Sequence, residues 1–186
     1  MTSPMPLLML TVDEYLESEK FSPVRREYLA GQVYAMSGAS TAHNLIAGNV
    51  FAQLRAHLRG GPCQVFISDM KLHIEAINTF YYPDVMVACD PEDQGDYFKT
   101  RPILIIEVLS PTTAAIDRRE KLLAHQKIAS LREYILISED EIKVEVYRRD
   151  QGGKWWEHTL EREGELRLES VEFKIDLTDL YEDVRL

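Results

Sequence analysis

The most informative stretch of the sequence is Ile103-Leu104-Ile105-Ile106-Glu107-Val108-Leu109. Both faces of a strand with this pattern are apolar, which predicts a central β-strand covered by other elements on each side. Glu107 interrupts the pattern, and a buried carboxylate without a partner costs on the order of 3 to 5 kcal/mol. The sequence therefore requires a cation beside Glu107, from a lysine, an arginine or a metal ion, or else a protonated carboxyl group with a raised pKa.

Helical and strand patterns alternate on both sides of this strand. A short helix begins at Thr11 with a capping box. A hairpin over residues 26–36 turns at Ala30-Gly31, and a long helix covers residues 41–58. The other predicted elements are strands at 64–75, 80–88, 103–109 and 133–137, a second core helix at 114–130, and alternating strands at 142–148, 155–161 and 166–168. This order predicts a mixed α/β (α+β) fold in a single domain over residues 1–186, with a mixed central sheet flanked by helices and extra C-terminal antiparallel strands.

The composition excludes several classes of protein. The 186 residues contain 21 Lys and Arg against 31 Asp and Glu, and no apolar run approaches the roughly 18 residues that span a bilayer. Residues 1–10 lack the basic start and cleavage site of a signal peptide, so we expect a cytoplasmic protein without membrane association. The net charge of −10 disfavours long-range attraction to nucleic acid, so any such contact must be local. Cys63 and Cys89 lack zinc-site spacing and are expected to be reduced structural thiols.

A second acidic residue interrupts another apolar strand. Asp84 lies in Tyr81-Tyr82-Pro83-Asp84-Val85-Met86-Val87, directly after a proline that removes one hydrogen bond of the ladder. If this strand neighbours residues 103–109, Asp84 and Glu107 bring two carboxylates within reach of one ion, which suits Mg²⁺ or Mn²⁺. The main-chain carbonyl of Val108 is a candidate third oxygen ligand. The alternative is a structural salt bridge between these acids and a lysine or arginine of a helix.

The second core helix carries a polar stripe. Asp117, Lys121 and His125 stand four residues apart and share one face, from which Lys121 would reach the two carboxylates. The alternative for Lys121 is an exposed ion pair with Asp117, worth about 0.3 to 0.5 kcal/mol. In the strand at 64–75, alternation predicts a polar face made of Asp69, Lys71 and His73.

Several of these residues together resemble a known family. Pro83-Asp84, 22 intervening residues and Glu107-Val108-Leu109 resemble the PD-(D/E)XK nuclease signature, with Leu109 in place of the motif lysine. The longer strings are similar to the Uma-two family of restriction endonucleases over about residues 10–180. Those strings are Phe80-Tyr81-Tyr82-Pro83-Asp84-Val85, Ile106-Glu107-Val108-Leu109-Ser110-Pro111-Thr112-Thr113, Asp117 with Lys121, and Glu133-Tyr134, together with Gly31, Met36, Gly38 and His43.

This resemblance implies a restriction-endonuclease-like core and a set of site residues. Asp84 and Glu107 would be catalytic and would bind a divalent metal ion, Mg²⁺ or Mn²⁺. Lys121 would replace the motif lysine from the neighbouring helix, where its ammonium group would stabilise charge on the scissile phosphate. The auxiliary candidates are His43, Glu27 and Asp117.

Two functions follow from these residues. The first is a metal-dependent endonuclease that hydrolyses DNA phosphodiester bonds. It predicts a basic rim around the acids, made of Lys71, Arg118, Arg119 and Lys121. The second is a catalytically silent nuclease-fold module that binds a partner or assembles into oligomers, which the acidic net charge and an exposed strand edge within residues 142–168 favour. A homodimer is the expected assembly under both.

Overall fold

The computed structural model describes residues 9–111 and 113–186. The signal-peptide prediction for residues 1–10 therefore lies almost entirely outside the described residues. The helices are α1 (Val12–Glu19), α2 (Thr41–His57), α3 (Ala114–Ile116), α4 (Leu122–His125) and α5 (Leu177–Leu180), with a π-helical turn (Asp117–Lys121) between α3 and α4. The strands are β1 (Arg26–Leu29), β2 (Gln32–Ala35), β3 (Gln64–Ile67), β4 (Lys71–Ile74), β5 (Thr79–Tyr81), β6 (Val85–Ala88), β7 (Phe98–Lys99), β8 (Pro102–Leu109), β9 (Glu133–Ser138), β10 (Lys143–Arg149), β11 (Trp155–Glu161), β12 (Glu165–Leu168) and β13 (Phe173–Asp176). None of the described helices is both long and apolar enough to cross a membrane.

A six-stranded sheet in the order β11-β10-β9-β8-β6-β3 forms the centre of the fold. Strand β8 contains the 103–109 stretch and pairs parallel with β9 and antiparallel with β6. Leu104 and Ile106 pack into the core that α2 covers. Ile105 and Leu109 pack into a second core, which includes the apolar side of α4. Both faces of β8 are thus covered, and the predicted mixed α/β fold with extra C-terminal antiparallel strands is confirmed.

Two predicted strands are each divided between this sheet and a second sheet, whose order is β2-β1-β5-β4-β7. The strand predicted at 64–75 breaks at Ser68, which has a φ of 53° and ends β3 before β4 begins. The strand predicted at 80–88 breaks at Pro83-Asp84, between β5 and β6. A left-handed residue and a proline without an N–H group both interrupt a ladder of hydrogen bonds. The prediction of two continuous strands was therefore wrong, and Asp84 lies where the chain passes from one sheet to the other.

The polar face predicted for Asp69, Lys71 and His73 is not formed, because Asp69 lies in the turn before β4. His73 instead stacks on Phe80, with 4.0 Å between the ring centres. The second core helix is also shorter than predicted, since α4 ends at His125 rather than near residue 130.

Cys63 and Cys89 form a disulfide, which corrects the expectation of reduced thiols. The two cysteines flank the paired strands β3 and β6, in which Gln64 lies opposite Ala88. Their Cα atoms are therefore only 4.0 Å apart. Sequence reasoning failed here because cysteines separated by 26 residues become neighbours only once the register of the two strands is known.

Removing this disulfide will destabilise the chain. Closing a loop of 26 residues in the unfolded state corresponds to about 3.5 kcal/mol in the chain-entropy model. We expect the Cys63→Ser/Cys89→Ser double variant to lose about 2 to 4 kcal/mol of its free energy of unfolding. Urea unfolding with and without a thiol reductant measures this loss, and the reductant must leave the double variant unchanged. Equal stability of the oxidised wild type and the double variant would contradict the prediction.

Candidate active site

Two carboxylates face each other across the β6–β8 pair. Val85 lies opposite Ile106 in this antiparallel register, so the preceding Asp84 lies opposite Glu107. The Asp84 N–H donates to Glu107 Oε2 at 3.4 Å, and the Val108 N–H donates to Asp84 Oδ2 at 2.8 Å. The structure thus brings together the two acids whose proximity the sequence predicted.

The ammonium group of Lys121 lies among three carboxylates. Its Nζ is 3.3 Å from Glu107 Oε1 and 3.1 Å from Asp117 Oδ1. Glu27 Oε1 on β1 is also 3.3 Å away. Asp117 and Lys121 begin and end the π-helical turn, a helix irregularity that is common at functional sites. The alternative of an exposed Asp117–Lys121 pair is wrong, because Lys121 is only 7% exposed.

Burial and neighbouring charges shift the pKa values of this cluster. The pKa of Glu107 is raised well above its usual value, because burial disfavours the carboxylate, and this effect together with the adjacent acids exceeds the attraction of Lys121. Burial also raises the pKa of Glu27, although Lys121 offsets part of this effect. For Lys121, burial opposes the charged form, but the surrounding carboxylates outweigh it and raise the pKa well above its usual value. The ammonium group therefore stays charged while Glu107 retains its proton to an unusually high pH.

His43 contacts the second oxygen of Asp84. Ser40 caps α2 by accepting the His43 N–H at 3.0 Å, which places this histidine in the first turn of the helix. His43 Nε2 lies 2.9 Å from Asp84 Oδ1, and His43 Nδ1 lies 3.9 Å from Glu139 Oε2. Burial opposes the imidazolium form, but the hydrogen bond to Asp84 and the two negative charges outweigh it and raise the pKa of His43.

The cluster contains more negative than positive charge. Even with Glu107 protonated, Glu27, Asp84 and Asp117 carry three negative charges, against one positive charge on Lys121 and at most one on His43. Within residues 9–111 and 113–186, no group of three or more His, Cys, Asp or Glu side chains is arranged as a ready-made metal site. The Asp84–Glu107 pair nevertheless offers the hard oxygen donors that Mg²⁺ prefers, and the side chain of Asp84 is 16% exposed, so solvent reaches it. A divalent cation fits this donor pair and would offset the excess negative charge.

Comparison with known proteins places the chain in a family. Residues 12–178 match the Uma2 family, which is described as "Putative restriction endonuclease". The chain belongs to the Uma2 family. All six side chains of the predicted site lie within the matched residues: Glu27, His43, Asp84, Glu107, Asp117 and Lys121.

This Uma2 chain is similar to two proteins of Synechocystis sp. and, in fold, to a crystal structure from Anabaena variabilis. The uncharacterized protein slr1290 of Synechocystis sp. is 34% identical over 175 residues, which cover 92% of each chain. The uncharacterized protein sll1609 of the same organism is 34% identical over 150 residues, which cover 79% of this chain and 85% of that protein. A crystal structure from Anabaena variabilis, described as "a putative nuclease belonging to DUF820", has a TM-score of 0.73 at 18% identity over 92% of this chain and 97% of that chain. The Uma2 chain thus has the nuclease-like fold that its sequence predicted.

The basic rim predicted around the acids is not formed by the four expected residues. Lys121 is buried among the carboxylates. Glu145 is a second buried acid, which lies two strands away from Glu107 on the same face of the sheet. Arg118 Nη2 binds Glu145 Oε1 at 2.7 Å and is thereby held away from the two site acids. Of the four residues, Arg119 is exposed.

Two predicted positions, Leu109 and His125, lie in apolar surroundings. Leu109 stands where the signature has lysine, and it is 3% exposed within an apolar core. Lys121, on the π-helical turn, instead brings an ammonium group to Glu27, Glu107 and Asp117. His125 completes the predicted stripe but packs between the rings of Tyr81 and Tyr134. Burial lowers the pKa of His125 well below its usual value, so its imidazole is neutral.

Sequence analysis missed Ser40 and Glu139. Ser40 Oγ donates to Glu139 Oε2 at 2.6 Å, next to the ring of His43. A signal was present, since β8 and β9 run parallel and the residue after β9 lies at the same end of the sheet as Glu107. The sequence also contained the pattern of a helix N-cap, a serine at position 40 directly before the predicted helix.

Proposed function

We propose that this Uma2 protein is a metal-dependent endonuclease that hydrolyses phosphodiester bonds of DNA. The observation that carries the proposal is the Asp84–Glu107 carboxylate pair, with the Lys121 ammonium 3.3 Å from Glu107 Oε1. Both parts serve phosphodiester hydrolysis, because the acids bind an activating cation and the ammonium offsets the charge that develops on the phosphate. The description of the family and the shared fold support the same chemistry.

Asp84, Glu107 and the main-chain carbonyl of Val108 are the proposed ligands of Mg²⁺ or Mn²⁺. When bound, such an ion lowers the pKa of a coordinated water and polarises a phosphoryl oxygen. Asp84 is held in one orientation, because the Val108 N–H binds one carboxylate oxygen and His43 the other. The N–H and C=O groups of a strand residue point to the same edge, so the direction of the Val108 N–H supports a carbonyl directed toward Asp84.

Lys121 is the proposed electrostatic catalyst. Glu27 and Asp117 each contact its ammonium group within 3.3 Å, which fixes the group beside Glu107 and keeps it charged. From this position Lys121 would stabilise the scissile phosphate and help to hold the attacking water. Glu27 and Asp117 therefore act through Lys121 rather than on the substrate.

The Asp84→Asn variant tests the proposal. The amide keeps the shape of the side chain and an oxygen for the Val108 N–H, but it removes the charge that binds the ion. We expect Mn²⁺-dependent nicking of supercoiled plasmid to fall at least about a hundredfold. Asp90→Asn is the matched control, because Asp90 pairs with the half-exposed Arg101 at 2.9 Å and should not affect cleavage. Equal nicking by wild type and Asp84→Asn would reveal a contaminating nuclease and contradict the proposal.

A catalytically silent module is the second candidate, and three observations favour it. Lys121 already lies among the acids, and the described residues contain no ready-made group of three metal ligands. Strand β11 ends the central sheet, so its outer edge suits pairing with a second copy in a homodimer. Calorimetric titration with Mn²⁺ separates the two candidates. The endonuclease should give a heat of Mn²⁺ binding that Asp84→Asn abolishes. A silent module should give the same titration curve for the wild type and for Asp84→Asn.

A further inference from the structure

A cavity of about 460 Å³ is lined in part by residues that adjoin the candidate active site along the chain or through a main-chain hydrogen bond. Tyr82 lines this cavity and stands two residues before Asp84 in the chain. Asp69 also lines it and follows Ser68, whose N–H donates to the main-chain carbonyl of Asp84 at 3.0 Å. Gly38, on another wall, leads directly into the first turn of α2, which carries His43. Three lining residues are thus linked to the candidate active site, two by short chain segments and one by a main-chain hydrogen bond of its neighbour.

The charged residues that line the cavity are Glu19, Arg25 and Asp69. Arg25 Nη1 binds the Ser68 carbonyl and Asp69 Oδ1, both at 3.0 Å. The side chain of Arg25 is still 45% exposed, so part of the guanidinium faces solvent. Glu19 Oε1 accepts from Arg26 at 2.7 Å and is almost fully buried. Both lining carboxylates are therefore paired with arginines, in a chain whose net charge is −10.

An exposed aromatic residue adjoins the lining residues in the chain. Phe21 is 81% exposed and directly precedes the lining residue Ser22. Exposed aromatic rings beside arginines are typical of surfaces on which the bases of a single strand stack. Glu19 is not available to such a ligand, because its two carboxylate oxygens accept from Arg26 at 2.7 Å and from the Tyr82 hydroxyl at 2.6 Å.

We propose that this cavity binds one unpaired nucleotide of the substrate strand, next to the scissile phosphate. The inference rests on the proposed nuclease function and specifies its substrate as single-stranded or locally unpaired DNA. The volume lies within the roughly 300 to 1,000 Å³ of small-molecule sites, which is enough for one nucleotide. A base in an intact duplex does not reach such a cavity, because stacking and pairing hold it inside the helix. Arg25 contacts the phosphate, and Phe21 stacks on the base.

Fluorescence anisotropy in EDTA tests the proposal without metal or cleavage. The probe is a short fluorescein-labelled single strand, and the same strand annealed to its complement gives the duplex. We expect the single strand to bind more tightly than the duplex, and Arg25→Ala and Phe21→Ala each to weaken its binding about five- to tenfold. Arg101→Ala is the matched control, because Arg101 is a similarly exposed arginine paired with acids and should leave binding unchanged. Equal binding of single strand and duplex, or wild-type affinity of Arg25→Ala, would overturn the proposal.

A second variant fills the cavity instead of removing contacts. A Cβ atom added to Gly38 meets nothing within 4 Å, so the chain should fold with leucine there. Gly38→Leu is expected to weaken single-strand binding by a similar factor, while its circular dichroism spectrum stays that of the wild type. Unchanged binding in a folded Gly38→Leu variant counts against the site. Plasmid nicking that depends on Asp84 but not on Arg25 would support the proposed nuclease function and contradict the proposed nucleotide site. Single-strand binding that depends on Arg25 in a protein that cleaves nothing would support the cavity and reject the nuclease.

Discussion

Replacing Lys121 with methionine is expected to lower the free energy of unfolding by about 3 to 5 kcal/mol and to abolish cleavage. Methionine fills a similar volume, so the loss reports the missing charge rather than a cavity. The variant leaves Glu27, Glu107 and Asp117 buried without the cation that now lies within 3.3 Å of each. Urea unfolding measures the loss. Lys127→Met is the matched control, because Lys127 is exposed just beyond α4, and its change should stay within about 0.5 kcal/mol.

The pH dependence of this loss identifies its cause. Without the ammonium group, burial and mutual repulsion raise the folded-state pKa values of Glu27 and Glu107 further. A group whose pKa is higher in the folded state binds more protons there, so the stability it contributes is present at low pH and is lost as pH rises. The deficit of Lys121→Met should therefore shrink as pH falls toward 4.5, the ordinary value for glutamate. A deficit that does not change with pH would indicate lost packing instead of unpaired charge.

The strand at 103–109 shows how much of the fold a local pattern predicts. Its residues are apolar on both faces apart from Glu107, so its central position followed from its own sequence. The break at Ser68 did not, because β3 pairs with β6 whereas β4 pairs with β5 in another sheet. A change of partner in the middle of residues 64–75 leaves the period of two intact on each side. The Cys63–Cys89 disulfide was missed for the same reason, since it depends on the register between distant strands.

The charged cluster was easier to predict than the fold around it. A buried Glu107 demands a cation, and the spacing of Asp117 and Lys121 provided one on the next helix. Physical reasoning at the sequence level left a choice between a lysine and a metal ion as the compensating charge. The structure answers part of this question, because Lys121 contacts three acids and still leaves the cluster with excess negative charge. The π-helical turn that brings Lys121 and Asp117 to one point has no simple sequence signal.

The Glu107→Gln variant is expected to lose at least about a hundredfold in Mn²⁺-dependent cleavage while its fold becomes as stable as the wild type or more stable. The two effects have opposite signs because the negative charge of Glu107 is needed to bind the metal ion but is disfavoured by burial. Glutamine keeps the shape and an oxygen for Lys121, but it removes a carboxylate whose charged form burial disfavours. Plasmid nicking and urea unfolding of the same preparation measure both effects. Glu120→Gln is the control, because Glu120 lies exposed on the π-helical turn next to Lys121.

The gain in stability should depend on pH with a defined sign. The pKa of Glu107 is raised in the folded protein, so wild-type stability contributed by this group is complete below about pH 4.5 and is lost as pH rises through the folded-state value. Glutamine does not titrate, so the difference between Glu107→Gln and wild type should be small at acidic pH and grow toward alkaline pH. Saturating Mn²⁺ should reduce this difference by stabilising only the wild type, because an ion that binds the folded state alone shifts the unfolding equilibrium toward it. A difference that shrinks with rising pH would contradict the raised pKa of Glu107. An equal effect of Mn²⁺ on the stability of both proteins would contradict the role of Glu107 as a metal ligand.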